Sequence, residues 1–175
     1  MDVRDEIKAA AVKASTIFKE TGRTLAIAES FTGGNVVASL VAIPGASSYV
    51  LEGLTCYSLK SKRLRLGVKS ETLAKYGAVS EKTVREMISG LLSSPLKPDF
   101  AVATTGNAGP GVEPLSEEGE CFVAAGNQDD VIVKRLVLTG DREENILRGT
   151  LEALSILVKF VKNQRGVNYG KERQG

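Results

Sequence analysis

Histidine and tryptophan are absent from this sequence of 175 residues, and cysteine occurs only twice. Histidine is the usual general base near neutral pH and the commonest ligand of transition metals. Its absence excludes both histidine-based catalysis and a histidine metal site, so any catalytic base must be another side chain. We expect Cys56 and Cys121, which lie far apart, to stay reduced and buried as small apolar residues of an intracellular domain.

The sequence also lacks a large excess of either charge sign and lacks long apolar runs. With 23 basic and 21 acidic residues the net charge is +2, which gives too weak a field to indicate a nucleic acid or a membrane surface as partner. Only the basic cluster at 60–65 keeps nucleic-acid binding as an alternative, which salt-dependent association with DNA would reveal. The sequence contains no run of about 18 apolar residues, and its N-terminus is charged and amphipathic, unlike a signal peptide. We expect a soluble, cytoplasmic protein.

The composition favours one packed domain. Hydrophobic residues make up 42% of the chain and charged residues 25%, proportions typical of a folded globule rather than of a disordered chain. The length suits a single hydrophobic core. We predict one domain at 1–165 and a flexible polar tail at 166–175.

Hydrophobic spacing predicts strands that alternate with helices. The predicted helices cover 2–21, the segment up to about 41, several short pieces between 60 and 94, and a last helix from 141; the predicted strands cover 24–29, 49–58, 99–105, 120–126 and 131–138. The turn-like composition of 126–130 makes the last two strands an antiparallel pair, so we expect a mixed sheet. In such α/β folds ligands bind beyond the carboxyl ends of the strands.

Ser30 lies where the first strand meets a helix, followed by Thr32, Gly33 and Gly34. Free backbone amides at a helix N-terminus favour an anion there, so Ser30 is a candidate nucleophile and the three residues after it are candidate substrate contacts. The alternative is structural, with Ser30 or Thr32 capping the helix and the glycines allowing close packing.

Lys62 is the candidate base, because a chain without histidine needs another group to activate a serine. Lowering the pKa of a lysine from about 10.4 to near 7.5 requires roughly 4 kcal/mol, which only a desolvated pocket supplies. The alternative is a solvated basic helix face at 60–65.

Two further segments follow strands and can contact a ligand. Thr105, Gly106, Asn107 and Gly109 form a stretch able to present amides and hydroxyls, although a plain flexible turn explains the composition equally well. Arg142 opens the last helix and offers a planar fork to phosphate or carboxylate, or else is a solvated surface arginine. Arg148 competes with Arg142 for this role.

Six ordered blocks carry a resemblance to a known family: AESFTGG (28–34), PGASS (44–48), CYSLKSKRLRLGV (56–68), YGAVS (76–80), TTGNAGPG (104–111) and GDR (140–142). Together they resemble the C-terminal domain family of the competence/damage-inducible protein CinA, over about residues 5–160. The resemblance implies a three-layer α/β/α sandwich with a mixed, mainly parallel five-stranded sheet, described as anticodon-binding-domain-like.

The resemblance also implies an activity. Characterised members of the family deamidate nicotinamide mononucleotide to nicotinic acid mononucleotide and ammonia, without a metal or organic cofactor, and are commonly dimers or larger. By matching positions, Ser30 is the nucleophile, Lys62 its activating base and Tyr57 the residue that positions or polarises the serine, while Arg142 matches the arginine of the GDR block. The expected partners are a small-molecule nucleotide and further copies of the same chain.

The chain departs from the family pattern at three places. Phe31 stands where the family has cysteine, Leu59-Lys60 where it has Asn-Glu, and Ser116-Glu117-Glu118-Gly119-Glu120 where it has Lys-Pro-Val-Gly-Thr. Extra carboxylates near a phosphorylated substrate would repel it unless they face solvent. The acidic segment at 116–120 therefore leaves an alternative function, a non-catalytic relative that binds a nucleotide or a partner.

Overall fold

The computed structural model describes the backbone of residues 2–171 and the side chains of residues 2–164. Its elements are α1 (Val3–Thr21), β1 (Leu25–Glu29), α2 (Asn35–Val41), β2 (Val50–Thr55), α3 (Leu59–Leu66), α4 (Ser70–Tyr76), α5 (Glu81–Leu92), β3 (Phe100–Gly106), β4 (Glu120–Gly126), β5 (Val131–Val137) and α6 (Arg142–Lys171). The tail predicted at 166–175 lies mostly outside the described residues, since its side chains and the backbone after Lys171 are not part of them.

The five strands form one mixed sheet in the order β2-β1-β3-β4-β5. The strand β1 pairs in parallel with β2 and β3, whereas β4 runs antiparallel to both β3 and β5. Four strands therefore point the same way and β4 alone opposes them. The carboxyl ends of β2, β1 and β3 lie side by side at one edge of the sheet.

Each face of the sheet is covered by helices, because alternate side chains of a strand point to opposite faces. On one face, Leu25 and Ile27 of β1 pack with α1, α2 and α6. On the other face, Ala26 and Ala28 of the same strand pack with α5 and the residues around α3 and α4. The result is the three-layer α/β/α arrangement that the resemblance implied.

The helix α3 is held close to α5 by a small residue. A β-carbon at Gly90 of α5 would lie 2.0 Å from the carbonyl oxygen of Leu66, the last residue of α3. Only glycine allows this approach, since a methyl group cannot occupy that space. The contact fixes the position of α3, which carries Lys62.

Cys56 and Cys121 are free and buried, as expected. Burial raises the pKa of the Cys121 thiol to about 12, so this side chain behaves as a small apolar residue. Among the helices of the described residues, none combines the length and the apolar character needed to cross a membrane.

Candidate active site

The predicted site residues meet at the edge of the sheet where β1, β2 and β3 end. Ser30 directly follows β1, Tyr57 lies two residues beyond β2, and Thr105 and Gly106 end β3. The helix α6 begins at the same edge with Arg142, because β5 runs toward it. Four segments that are distant in sequence therefore contribute to one site.

Glu29 holds the loop that carries Ser30. Its buried carboxylate accepts hydrogen bonds from the amides of Gly34, Val36 and Val37 at 2.9–3.0 Å. It also accepts one from the Thr32 hydroxyl at 2.6 Å. A carboxylate at a helix N-terminus satisfies free amides and interacts favourably with the helix dipole. Glu29, which sequence reasoning missed, is thus the cap of α2.

This cap corrects one expectation about the substrate contacts. The first amides of α2 were expected to be free for an anion, but the chain's own carboxylate occupies them. The Thr32 side chain is buried and shares a hydrogen bond with Thr104 at 2.8 Å. Gly33 and Gly34 adopt positive φ angles of 64° and 100° and form the tight turn into α2. All three residues shape the loop, and none of them lines the pocket beside Ser30.

Ser30 and Lys62 are in direct contact. The Lys62 Nζ atom lies 2.7 Å from the Ser30 Oγ atom and donates a second hydrogen bond to the Cys56 carbonyl at 2.8 Å. Only 2% of Lys62 and 6% of Ser30 are exposed. The helix α3 is short and strongly basic, but it turns this one lysine inward while the Ser58 hydroxyl caps its N-terminus through the Ser61 amide.

Burial lowers the pKa of Lys62 to about 8. Removal of the ammonium from water is the main cause, and the neighbouring Cys56 and Glu113 side chains oppose it by favouring the charged form. No ion pair compensates the Lys62 amine within the described residues. About a tenth of this amine is therefore uncharged at pH 7, and the uncharged form can accept a proton from the serine.

Arg142 and Tyr57 lie together at the rim of the site. The guanidinium of Arg142 donates to the Gly109 carbonyl at 2.5 Å and to the Tyr57 hydroxyl at 2.7 Å. Tyr57 is 60% exposed, and its hydroxyl is bonded to Arg142 rather than to Ser30. Arg148 instead lies 4.0 Å from Glu144 on the exposed face of α6. Of the two candidate arginines, Arg142 is the one at the pocket.

The loop after β3 forms a further wall. Thr105, Gly106 and Asn107 line the pocket, and the Thr105 hydroxyl donates to the Ala78 carbonyl at 2.7 Å. The Asn107 side chain is used within the loop, since it donates to the Gly111 carbonyl and accepts from the Gly109 amide. Gly109 contributes through its carbonyl to Arg142 and does not line the pocket.

The pocket at this site has a volume of about 260 Å³. Its lining includes Ser30, Lys62, Tyr57, Thr105, Glu113 and Arg142. Within the described residues Glu113 is the single carboxylate in that lining. The sequence pattern did not indicate it, because it lies before the acidic segment at 116–120. Two carboxylates of that segment, those of Glu117 and Glu120, pair with Arg135 at 2.6 and 2.7 Å instead.

A larger cleft of about 1020 Å³ opens at the opposite edge of the sheet. Its charged lining is partly neutralised, because Arg23 and Asp99 pair with each other at 2.8 Å. Among the described residues that line this cleft, no hydroxyl is hydrogen-bonded to a lysine as Ser30 is. We therefore place the chemistry in the smaller pocket. No cluster of three or more potential metal ligands occurs anywhere in the described part of the chain.

Comparisons with known proteins identify the family to which this α/β/α domain belongs. The family model of the CinA C-terminal domain matches residues 7–161. A competence-damage inducible protein of Clostridioides difficile is 44% identical over 144 residues, which are 82% of this chain and 34% of that protein. A CinA-like protein of Thermotoga neapolitana is 41% identical over 85% of this chain and 36% of its own length. The chain spans about a third of the length of these curated relatives.

Comparison with solved structures supports the same family assignment. A CinA superfamily protein of Klebsiella pneumoniae has a TM-score of 0.85 and 31% identity, with 90% of this chain and 98% of that chain covered. A competence/damage-inducible protein of Agrobacterium tumefaciens has a TM-score of 0.83 and 34% identity over 88% and 94% of the two chains. The chain belongs to the CinA C-terminal domain family.

Proposed function

We propose that this protein is an amidohydrolase that deamidates nicotinamide mononucleotide to nicotinic acid mononucleotide and ammonia through Ser30 and Lys62. The observation that carries the proposal is the 2.7 Å contact between the Lys62 amine and the Ser30 hydroxyl in a buried setting. A nucleophile activated by an adjacent base is the usual signature of covalent catalysis.

In the first half of the proposed reaction, Ser30 Oγ attacks the carboxamide carbon as its proton passes to the uncharged Lys62 amine. The Cys56 carbonyl keeps that amine oriented by accepting a hydrogen bond from one of its N–H groups. The resulting Lys62 ammonium then gives its proton to the amide nitrogen. The carbon–nitrogen bond breaks, ammonia leaves, and an ester to Ser30 remains.

In the second half, a water molecule attacks the ester while Lys62 accepts its proton. When the tetrahedral intermediate collapses, the proton returns to Ser30 Oγ and the acid is released. Each intermediate develops a negative oxygen that needs hydrogen-bond donors. The Phe31 amide directly follows Ser30 and has no hydrogen-bond partner within the described residues, so we assign it as one donor.

The size of the pocket indicates how the substrate binds. About 260 Å³ is slightly below the usual range of ligand pockets, roughly 300–1,000 Å³, so we propose that the pocket holds only the pyridine ring and its carboxamide. The sugar phosphate then extends toward the rim, where the Arg142 guanidinium provides a planar fork for the phosphate. Tyr57 supports that guanidinium through its hydroxyl.

The positions of two acidic residues weaken the argument for a non-catalytic nucleotide-binding relative. Glu117 and Glu120 were expected to repel a phosphate, but they bind Arg135 away from the pocket. The alternative keeps a distinct signature, since it predicts binding of the nucleotide without turnover.

Ammonia release from purified protein tests the proposal. Nicotinamide mononucleotide and a panel of related amides are incubated with the protein and with Ser30→Ala, and the products are separated chromatographically. We expect nicotinic acid mononucleotide and ammonia in equal amounts from the unmodified protein and none from the variant. Binding of the nucleotide without any product would contradict the proposal and support the non-catalytic alternative.

A further inference from the structure

Glu113 is a carboxylate at the pocket that the proposed reaction leaves without a role. It lines the pocket together with Lys62 and Arg142 and is the acidic side chain whose charge acts on the Lys62 amine. Within the described residues its carboxylate forms neither a hydrogen bond nor an ion pair; only its backbone carbonyl is used, by Ser116. A carboxylate without a partner at the rim of a pocket is available to a ligand.

The fold holds Glu113 in this position. The next residue, Pro114, has its carbonyl oxygen 3.1 Å from the place where a β-carbon on Gly77 would lie. Gly77 begins the connection from α4 to α5, and Ala78 of that connection is bonded to Thr105 of β3. The loop of Glu113 therefore packs against a segment that is itself fixed to the central sheet.

The charges of the pocket then form a dipolar arrangement. When Lys62 is the uncharged base, Arg142 contributes the positive charge and Glu113 the negative charge of the lining. A ligand of matching chemistry carries an anion toward Arg142 and a cation toward Glu113. Nicotinamide mononucleotide has this distribution, since its phosphate is negative and its pyridinium ring is positive.

We propose that Glu113 is a specificity-determining residue that selects ligands with a positively charged pyridinium ring. The inference rests on the proposed function, because it assumes that a pyridine mononucleotide occupies the pocket. Glu113 makes the binding free energy of a ligand with a cationic ring more favourable than that of a ligand of the same shape with a neutral ring. Reduced nicotinamide mononucleotide, whose dihydropyridine ring is uncharged, is such a ligand.

Calorimetric titration with nicotinamide mononucleotide and with its reduced form tests whether binding depends on the ring charge. The background is Ser30→Ala, which retains the pocket without turnover, and the test variant adds Glu113→Gln, which keeps the size of the side chain. We expect Glu113→Gln to weaken binding of nicotinamide mononucleotide about fivefold, the range of a partly exposed ion pair, and that of the reduced form less than about twofold. The matched control is Glu117→Gln, a change in the same exposed loop at a side chain that pairs with Arg135 and is not part of the pocket lining; it should alter neither affinity.

Equal weakening of both ligands, or weakening of neither, would overturn the role of Glu113 while leaving the proposed function intact. A different result marks failure of the proposed function itself: the Ser30→Ala background binds neither ligand and the unmodified protein releases no ammonia. In that case the inference about Glu113 falls with it.

Discussion

At the scale of single residues, the proposed chemistry depends on the buried Lys62 amine. The lowering of its pKa from 10.5 to about 8 corresponds to roughly 3 kcal/mol of differential interaction between the charged and uncharged forms. Packing of the surrounding protein supplies that free energy, because the amine is almost fully removed from water. An exposed lysine would remain charged at neutral pH and could not accept the serine proton.

The pH dependence of turnover follows from this pKa. The base is active as the free amine, so kcat/KM for nicotinamide mononucleotide should rise with pH and level off above about 8. Near pH 7 only about a tenth of Lys62 would be uncharged. Steady-state rates between pH 6 and 10 measure the profile. A rate that is flat across this range, or that falls as Lys62 loses its proton, would contradict a role of Lys62 as base.

Arg142 and Arg148 provide a matched pair of substitutions on the first turns of α6. Arg142→Gln removes the fork beside Tyr57, so we expect KM for nicotinamide mononucleotide to rise about tenfold, the effect of one lost charge-assisted contact. Arg148→Gln changes an exposed residue near Glu144 and should leave KM unchanged. Equal effects of the two substitutions in a steady-state assay would show that Arg142 does not contact the substrate.

Much of the residue-level site was predictable from sequence. The absence of histidine limited the choice of base, and the position of Ser30 after an apolar strand suggested a nucleophile. Glu29 escaped prediction because its side chain turns back over amides five to eight residues later, and a strand-end glutamate has no distinctive spacing. The partner of Tyr57 was also missed, since Arg142 lies 85 residues away in sequence.

At the scale of secondary-structure elements, small residues determine how closely the helices approach. Gly90 allows α5 to contact the last carbonyl of α3, and Gly149 of α6 leaves room for the Phe31 ring, which would lie 2.2 Å from a β-carbon there. The second contact links α6 to the loop of Ser30. Phe31 thus fills a space between α6 and the sheet and forms a small apolar cluster with Ala108 and Cys121.

Gly90→Ala tests whether the close contact positions α3. Alanine favours a helix by up to about 1 kcal/mol over glycine, but the new methyl group would overlap a backbone oxygen, and overpacking costs about 1–3 kcal/mol. We expect a net loss of stability and reduced turnover because Lys62 shifts with α3. Urea denaturation and ammonia release measure the two effects, with Ser89→Ala on the exposed face of the same helix as control. A Gly90→Ala protein that is more stable and equally active would show that this contact does not position α3.

The elements themselves were largely predictable, because their apolar periodicities are strong. The antiparallel pair β4–β5 follows from the turn at 126–130, and the structure confirms it. The pairing of β3 between β1 and β4 was not predictable from local pattern, since it depends on which strand edges are left free once the helices have covered both faces.

At the scale of the whole molecule, the order of the strands creates the site. The strands β2, β1 and β3 are neighbours and parallel, so the three segments that follow them meet at one edge, although the strand ends lie 26 to 77 residues apart in sequence. The helix α6 then brings Arg142 to the same edge. The function that we propose therefore depends on topology as much as on any one motif.

The proposed mechanism contains no metal, which gives a simple prediction for the intact protein. No group of potential ligands within the described residues is arranged to hold an ion. We expect overnight dialysis against EDTA to leave the rate of ammonia release unchanged within error. A loss of activity that is restored by added Zn²⁺ or Mg²⁺ would require a different mechanism.

The most direct test of the account is ammonia release from nicotinamide mononucleotide by Lys62→Met at pH 9, beside the unmodified protein. Methionine is unbranched and has a similar length, so the fold should persist, and a thermal melt checks this. A Ser30–Lys62 mechanism predicts a loss of at least about a hundredfold in kcat, the usual contribution of a general base. A folded Lys62→Met protein that turns over at the original rate would contradict it.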